Sequence, residues 1–289
     1  MTETICIAID WGTSNLRAAL LGPEGRVLAT RSHARGILTV EGNAFAEELD
    51  AVCRDWRGVE QNIPVFMTGM IGSQQGWVEA PYLNTPCGLD DLVNAIITIP
   101  DTDGIVHIMP GIKARTKNGA PEIMRGEETQ IGGIIERDGI YDGLFCIPGT
   151  HSKWVQICDG RIDNFVTFMT GEVFAILKQH SILGRLIEPS DGFDRIGFNH
   201  GINRSEQPGG LLHRLFSTRT FGILDEIKST SLTSFLSGQL IGDELRGVEE
   251  LYGKLDHVHL LSSGHLREAY SEAFAAQKID VTHWDPGQA

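Results

Sequence analysis

Cysteine and positive charge are both scarce in this chain. Five cysteines stand among 289 residues, at Cys6, Cys53, Cys87, Cys146 and Cys158, odd in number and without a CxxC pair. That pattern gives no sign of a disulfide framework. Reduced thiols are expected instead, with Cys6, Cys146 and Cys158 as strand core residues. Lysine and arginine total 24 against 38 aspartates and glutamates, a formal net charge of -14. Such a surface argues against nucleic acid or an anionic membrane as partner. It also will not attract a polyphosphate, so local donors and a metal ion would have to do so. No apolar run is long enough to span a bilayer. The N-terminus, MTETICIAID, has no basic region and too short an apolar run for a signal peptide. A soluble cytoplasmic protein is expected. With 41% hydrophobic and 21% charged residues the chain should fold as a globule, long enough for two domains or one large one.

What is present is a pair of similar stretches. Ile5 to Ile9 is an apolar run that ends at Asp10, Trp11-Gly12-Thr13-Ser14-Asn15 is a tight polar segment, and Leu16 to Leu21 is apolar again, with Arg17 set into it. The pattern predicts strand, turn, strand. Gly12 lets the chain come close to a ligand while Thr13, Ser14 and Asn15 supply donors, so the turn can hold an anion. Asp10 can hold a hydrated divalent cation beside it. An ordinary hairpin with a glycine turn fits the same residues. A second stretch, Leu144 to Ile157, repeats the layout around Pro148-Gly149-Thr150-His151-Ser152-Lys153. Lys153 can meet a phosphate as a point charge. His151 fits a structural hydrogen-bonding role as well as a catalytic one.

The order and spacing resemble the phosphate motifs of the sugar kinase, Hsp70 and actin superfamily. The wording PGTHSKW, with MRGEETQ before it and MTGEVF after it, resembles the 2-dehydro-3-deoxygalactonokinase family, and TGMIGSQQGW and LSGQLIGDEL extend the resemblance through most of the chain. The resemblance implies an α/β fold of two ribonuclease H-like domains, the actin-like ATPase fold, with a nucleotide cleft between them. The N-terminal domain, residues 1–125, would carry the first phosphate hairpin and an acceptor-facing loop. The C-terminal domain, residues 126–289, would carry the second hairpin and an adenosine-type turn. It further implies an ATP-dependent kinase that phosphorylates 2-dehydro-3-deoxy-D-galactonate at its 6-hydroxyl. ATP would be held by Gly12, Thr13, Ser14 and Asn15, by Gly149, Thr150, His151, Ser152 and Lys153, and by Ser263 and Gly264, with Mg2+ at Asp10. The partners are then ATP and a small sugar acid, with no nucleic acid and no membrane, and a homo-oligomer is left open. The family is expected to continue into another helix after the last strand.

Elsewhere the pattern is read from periodicity. Asn43 to Arg57 follows a helical period with Phe45, Leu49, Val52 and Trp56 on one face, and Ile63 to Met67 reads as a short strand. The segment Thr68 to Trp77 leaves the carboxyl end of that strand, where open α/β sheets place their ligands. It is either a plain connection or, with the resemblance, the loop that sets Gly72, Ser73 and Trp77 against the acceptor; Trp77 fits equally as a loop anchor. A strand is expected over Gly104 to Met109, a solvated strand or turn over Ile112 to Thr116, and a long loop over Gly192 to Gly210. Helices are expected over Leu211 to Phe216 and Leu232 to Leu245.

A further helix opens at Met124-Arg125-Gly126-Glu127-Glu128. Two acidic residues in a first turn suit the helix dipole, and either could serve as a base. With Ile131, Ile134 and Ile135 as the inward face and Ile131 at zero, Glu127 lies at about -40° and Glu128 at about +60°. Glu127 is therefore expected to point inward as the base, with Glu128 on the flank and Arg125 as the candidate for the acceptor's carboxylate. Two rival functions stay open: a phosphohydrolase of the same superfamily, and a non-enzymatic nucleotide-gated binding protein.

Overall fold

The structure is a computed structural model that describes residues 4–57, 63–100, 102, 105–189 and 192–287. It divides into two compact units, the first running to Tyr141 and including Asp159–Asn164, the second comprising Asp142–Cys158 and the chain from Phe165 onward.

The first unit contains β1 (Cys6–Trp11), β2 (Leu16–Leu21), β3 (Val27–His33), α1 (Phe45–Arg57), β4 (Val65–Thr68), β5 (Tyr82–Asn84), α2 (Leu89–Asn94), β6 (Ile97–Thr98), β7 (Val106–Ile108), β8 (Gly111–Arg115), β9 (Pro121–Met124) and α3 (Glu127–Asp138). Its main sheet has the order β3-β2-β1-β4-β7-β6. β1, β2 and β3 form an antiparallel meander, and β4 and β7 follow parallel to β1. Side chains alternate along β1, so Ile7, Ile9 and Trp11 enter the core while Asp10 faces the other way. The apolar stripe of α1 covers that core with Phe45, Leu49, Val52 and Cys53, and Trp56 packs at its margin. A small sheet, β5-β8-β9, completes the unit.

The second unit contains β10 (Gly143–Ile147), β11 (Ser152–Cys158), β12 (Arg161–Phe168), α4 (Thr170–His180), α5 (Arg195–Ser205), α6 (Gly210–Ile223), α7 (Leu232–Tyr252), β13 (His257–Leu261), α8 (Gly264–Gln277) and β14 (Asp280–Trp284). Its sheet has the order β12-β11-β10-β13-β14, with β10 antiparallel to β11 and parallel to β13, and β13 parallel to β14. Both sheets thus open on a meander whose first two strands are the two hairpins, and both continue with parallel strands. This is the doubled ribonuclease H-like plan of the actin-like ATPases.

Several expectations need correction. The sequence boundary at residue 125 separates α3 from the first unit, yet α3 belongs to it, because Gly132 admits Leu89 and Leu92 of α2 to its surface. The strand expected from Gly104 begins at Val106, and Gly104 itself lies outside the described residues. The stretch Ile112 to Thr116 is not solvated throughout: Ile112 and Ala114 of β8 are buried. Of the three strand cysteines only Cys146 is fully buried.

The largest change concerns Gly192 to Gly210, which is not one long loop but carries α5. Its glycines serve contact rather than flexibility. A β-carbon on Gly201 would lie 2.1 Å from the Phe235 carbonyl oxygen, and one on Gly238 would lie 2.1 Å from the Phe198 carbonyl oxygen. α5 and α7 therefore meet backbone to backbone, with Phe198 and Phe235 fully buried around the crossing. Adding a methyl there forces the helices apart, and overpacking of this kind costs about 1–3 kcal/mol. Gly201→Ala and Gly238→Ala should each lower the urea midpoint of the second unit's unfolding by a corresponding amount. Wild-type midpoints would show that the helices separate freely.

Candidate active site

The turn of the first hairpin is exposed at Thr13, Ser14 and Asn15 and closed by Gly12 N–H donating to the Asn15 carbonyl at 2.9 Å. It is backed by the chain at Gly36. A β-carbon on Gly36 would lie 2.1 Å from the Thr13 carbonyl oxygen, and Ile37 N–H donates to the Gly12 carbonyl at 3.0 Å. The turn of the second hairpin has the same support. A β-carbon on Gly171 would lie 2.2 Å from the Gly149 carbonyl oxygen, and Glu172 N–H donates to the Thr150 carbonyl at 2.9 Å. Thr150 and His151 are exposed, and His151 Nε2 meets Glu172 Oε2 at 2.5 Å. Lys153 is buried, with Nζ 3.5 Å from the His151 carbonyl oxygen. Ser152 departs from its expected place: its hydroxyl lies in the core, 3.0 Å from the Tyr270 hydroxyl. Ser263 and Gly264 are exposed where α8 begins, and nothing lies within 4 Å of a β-carbon built on Gly264.

Asp10, near the end of β1, is within electrostatic reach of Glu127. Asp10 pairs in register with Arg17 on one side and Thr68 on the other. The next residue, Gly69, adopts φ 89°, and a β-carbon there would lie 3.0 Å from Asp10 Oδ1. Gly126, with φ 115°, comes within 3.3 Å of the Gly69 Cα by the same measure. α3 thus starts against the Asp10 strand end, and the Thr68 and Thr129 hydroxyls join at 3.0 Å. Burial raises the Asp10 pKa, Arg17 lowers it, and the Glu127 charge raises it further.

The two glutamates are placed opposite to expectation. Glu128 is fully buried and Glu127 only partly. The buried face of α3 comprises Glu128, Ile131, Gly132 and Ile134, so it is turned toward the Gly132 side, where α2 packs. Isoleucines alone could not show that a glycine marks the contact. Both Glu128 oxygens accept from Gly126 N–H, at 2.9 and 2.8 Å, so this carboxyl closes the start of its own helix. Glu127 Oε2 accepts from Arg125 N–H at 3.1 Å.

The acceptor-loop candidates divide. Trp77 stacks on Phe45 at 6.4 Å and anchors the loop in the core. Ser73 turns back on Met70, its hydroxyl donating to that carbonyl at 2.7 Å. Gly72 and Arg125 come together: a β-carbon on Gly72 would lie 2.9 Å from Arg125 Nη1. The guanidinium sits over the Tyr82 ring at 4.2 Å and donates through Nη2 to the Ala80 carbonyl at 2.8 Å. Its buried Nη1 has no hydrogen-bond partner among the described residues. Tyr82 and Gly36 carry no signal in the sequence, and Gly69 and Gly171, though inside TGMIGSQQGW and MTGEVF, are not marked as contacts there, since each matters through a neighbour distant along the chain.

The 2-keto-3-deoxy-galactonokinase family model matches residues 10–289. A Rhizobium meliloti protein named as a probable 2-dehydro-3-deoxygalactonokinase is 37% identical over 98% of this chain and 92% of its own length. The Escherichia coli 2-dehydro-3-deoxygalactonokinase is 34% identical over 96% of this chain and 91% of its own. A crystal structure of a Sinorhizobium meliloti protein assigned as a 2-dehydro-3-deoxygalactonokinase superposes with a TM-score of 0.91 at 36% identity, covering 98% of this chain and 94% of the other.

The Glu128 carboxyl also carries a pH signature. Burial first, then the Glu127 charge, push its pKa from 4.5 up to about 8, against the Gly126 N–H bonds and Arg125. A raised folded-state pKa means that the fold binds this proton more tightly than the unfolded chain does. Its contribution to stability is complete below pH 4.5 and is lost as pH rises toward about 8. Glu128→Gln keeps an oxygen for Gly126 N–H but has no proton to release. The wild-type urea midpoint should fall across this window with a slope that the variant lacks; equal slopes would show that Glu128 is already ionised.

Proposed function

We propose that this chain, which belongs to the 2-keto-3-deoxy-galactonokinase family, transfers the γ-phosphoryl group of ATP to the 6-hydroxyl of 2-dehydro-3-deoxy-D-galactonate. The products are the 6-phosphate and ADP, and the step belongs to D-galactonate catabolism in the cytoplasm. The observation that carries the reading is the family match across both sheets, each with a Gly-Thr turn between its first two strands.

In this reading the amides and hydroxyls of Gly12–Asn15 and the turn from Gly149 to Lys153 hold phosphate oxygens, and the open space over Gly264 admits the nucleoside. Mg2+ is the implied ion. Among the described residues no three Asp, Glu, His or Cys side chains converge on one point, which suits an ion bound through one carboxylate, water and phosphates rather than a protein cage. Asp10 fits that single ligand: it is partly buried near the end of β1, at the base of the first turn. When bound, Mg2+ offsets phosphate charge. Glu127 is the base that accepts the 6-hydroxyl proton as that oxygen bonds to phosphorus and ADP leaves. Its partial exposure supports this, since Glu128 is sealed and committed to Gly126 N–H. Arg125 receives the sugar acid's carboxylate, because a buried donor without a partner is satisfied when an anion joins it.

A coupled ADP assay over a panel of 2-keto-3-deoxy sugar acids tests the whole reading. ADP should form only with an acceptor, whereas acceptor-independent phosphate release would mark a phosphohydrolase, and no turnover at all a nucleotide-gated binding protein. Asp10→Asn should keep the fold by circular dichroism and lose most turnover at saturating Mg2+. Glu127→Gln should lower kcat by about 10²–10⁴-fold with ATP affinity nearly unchanged. Arg125→Met should raise the acceptor KM by roughly 10–100-fold, about the worth of one charge-assisted hydrogen bond. Full activity in Glu127→Gln would place the base elsewhere.

A further inference from the structure

We infer that Glu244 is a positioning residue for the nucleotide, holding the second phosphate turn and the start of α4 in place from beneath. The inference rests on the reading of Gly149 to Lys153 as a phosphate hairpin.

Glu244 lies on α7 and is 3% exposed. Three donors from three separate elements converge on it. Trp154 Nε1–H of β11 reaches Oε1 at 2.7 Å, and the Tyr270 hydroxyl of α8 reaches Oε2 at 2.8 Å. The Thr170 hydroxyl, at the start of α4, donates to Oε2 as well. With Tyr270 donating to the carboxylate, the 3.0 Å contact between Ser152 and Tyr270 has Ser152 as its donor. Burial raises the Glu244 pKa, and the bonds from Thr170, Trp154 and Tyr270 draw it back down.

Every element tied to this carboxylate continues into a candidate nucleotide contact. β11 begins at Ser152, directly after the Gly149–His151 turn. Thr170 precedes Gly171 and Glu172, which press on the same turn through the Gly149 carbonyl and the Thr150 carbonyl. α8 begins at Gly264, in the adenosine-type turn. Buried ionic groups rarely repay their desolvation in stability, whereas a carboxylate offers two oxygens that only accept. Those oxygens fix the relative positions of strand, turn and two helices to hydrogen-bond precision. No side chain of Glu244 reaches the exposed turn itself, so its effect on ATP is exerted through Ser152, Trp154 and Thr170.

The test is a separation of Michaelis constants. Glu244→Met keeps bulk and removes every acceptor; it should raise the KM for ATP at least tenfold while the sugar-acid KM stays within about twofold. Glu244→Gln should recover most of the loss, because its oxygen can serve Trp154, which only donates, while the two hydroxyls turn to accept from the amide. Thr170→Val and Tyr270→Phe, each lacking one hydroxyl, should raise the ATP KM by about threefold, and they keep the test available if Glu244→Met does not fold. Thr150→Val and Lys153→Met serve as references. If these references raise the ATP KM and the Glu244, Thr170 and Tyr270 variants do not, Glu244 is not a positioning residue. Equal increases in both Michaelis constants, or no recovery in Glu244→Gln, overturn the inference as well. If the references themselves leave the ATP KM unchanged, the hairpin reading has failed and the inference falls with it.

Discussion

Each candidate phosphate turn is held by a neighbouring backbone that can approach only because it carries no side chain. Gly36 lies against Thr13 in the first unit and Gly171 lies against Gly149 in the second, each at a distance that a β-carbon could not share. In both places the residue after the glycine donates its N–H to a turn carbonyl, Ile37 to Gly12 and Glu172 to Thr150. Carbonyl oxygens that point backward are thereby satisfied inside the protein. Thr13, Ser14 and Asn15 on one turn and Thr150 and His151 on the other stay exposed, and their side chains include donors of the kind an anion requires. The rest of the site follows from where those turns sit: Asp10 lies near the end of the strand before the first turn, and Lys153 is the second residue of the strand after the second.

Two buried glutamates illustrate different uses of the same side chain. Glu128 takes its hydrogen bonds among the described residues from local groups, including the Gly126 N–H and the Thr129 hydroxyl. It substitutes for a missing cap at a helix whose first residue follows a glycine with positive φ. Glu244 meets donors from three elements far apart in sequence and so sets tertiary distances rather than a helix end. Burial pushes the pKa of both upward, but the donors differ: the Thr170, Trp154 and Tyr270 side chains pull Glu244 back, whereas two backbone amides, those of Gly126 and of Glu128 itself, with Arg125 oppose the shift at Glu128.

The sequence made the hairpins and α1 legible because their signals are local: an apolar run broken by Gly-Thr, or a stripe at helical spacing. The family wording made the doubled fold legible as well. What escaped depends on contacts made across the chain. α5 is hidden in the sequence because Gly197 and Gly201 read as loop residues, and only the fold sets Ser231 against the first and Phe235 and Gly238 against the second. The facing of Glu127 and Glu128 is not legible from the isoleucines, because Gly132, which admits α2, is part of the buried face of α3. Ser152 looked like a turn hydroxyl and is a core one, since Tyr270 approaches from α8. Glu244 lies inside the family wording LSGQLIGDEL, but nothing in that stretch separates a buried acid from a solvated one.

The loop that follows β4 is fastened to itself. Trp77 N–H donates to the Ile71 carbonyl and Ala80 N–H to the Gly72 carbonyl, both at 2.9 Å, and a β-carbon on Gly76 would lie only 2.0 Å from that same Ile71 oxygen. With Trp77 stacked on Phe45, the segment has little conformational entropy left to lose. A ligand that meets it encounters a surface already shaped, so its affinity is not drained by ordering the loop. The counterpart is intolerance: a molecule with a group in the wrong place finds no slack there to accommodate it, and rejection costs the protein nothing in folding.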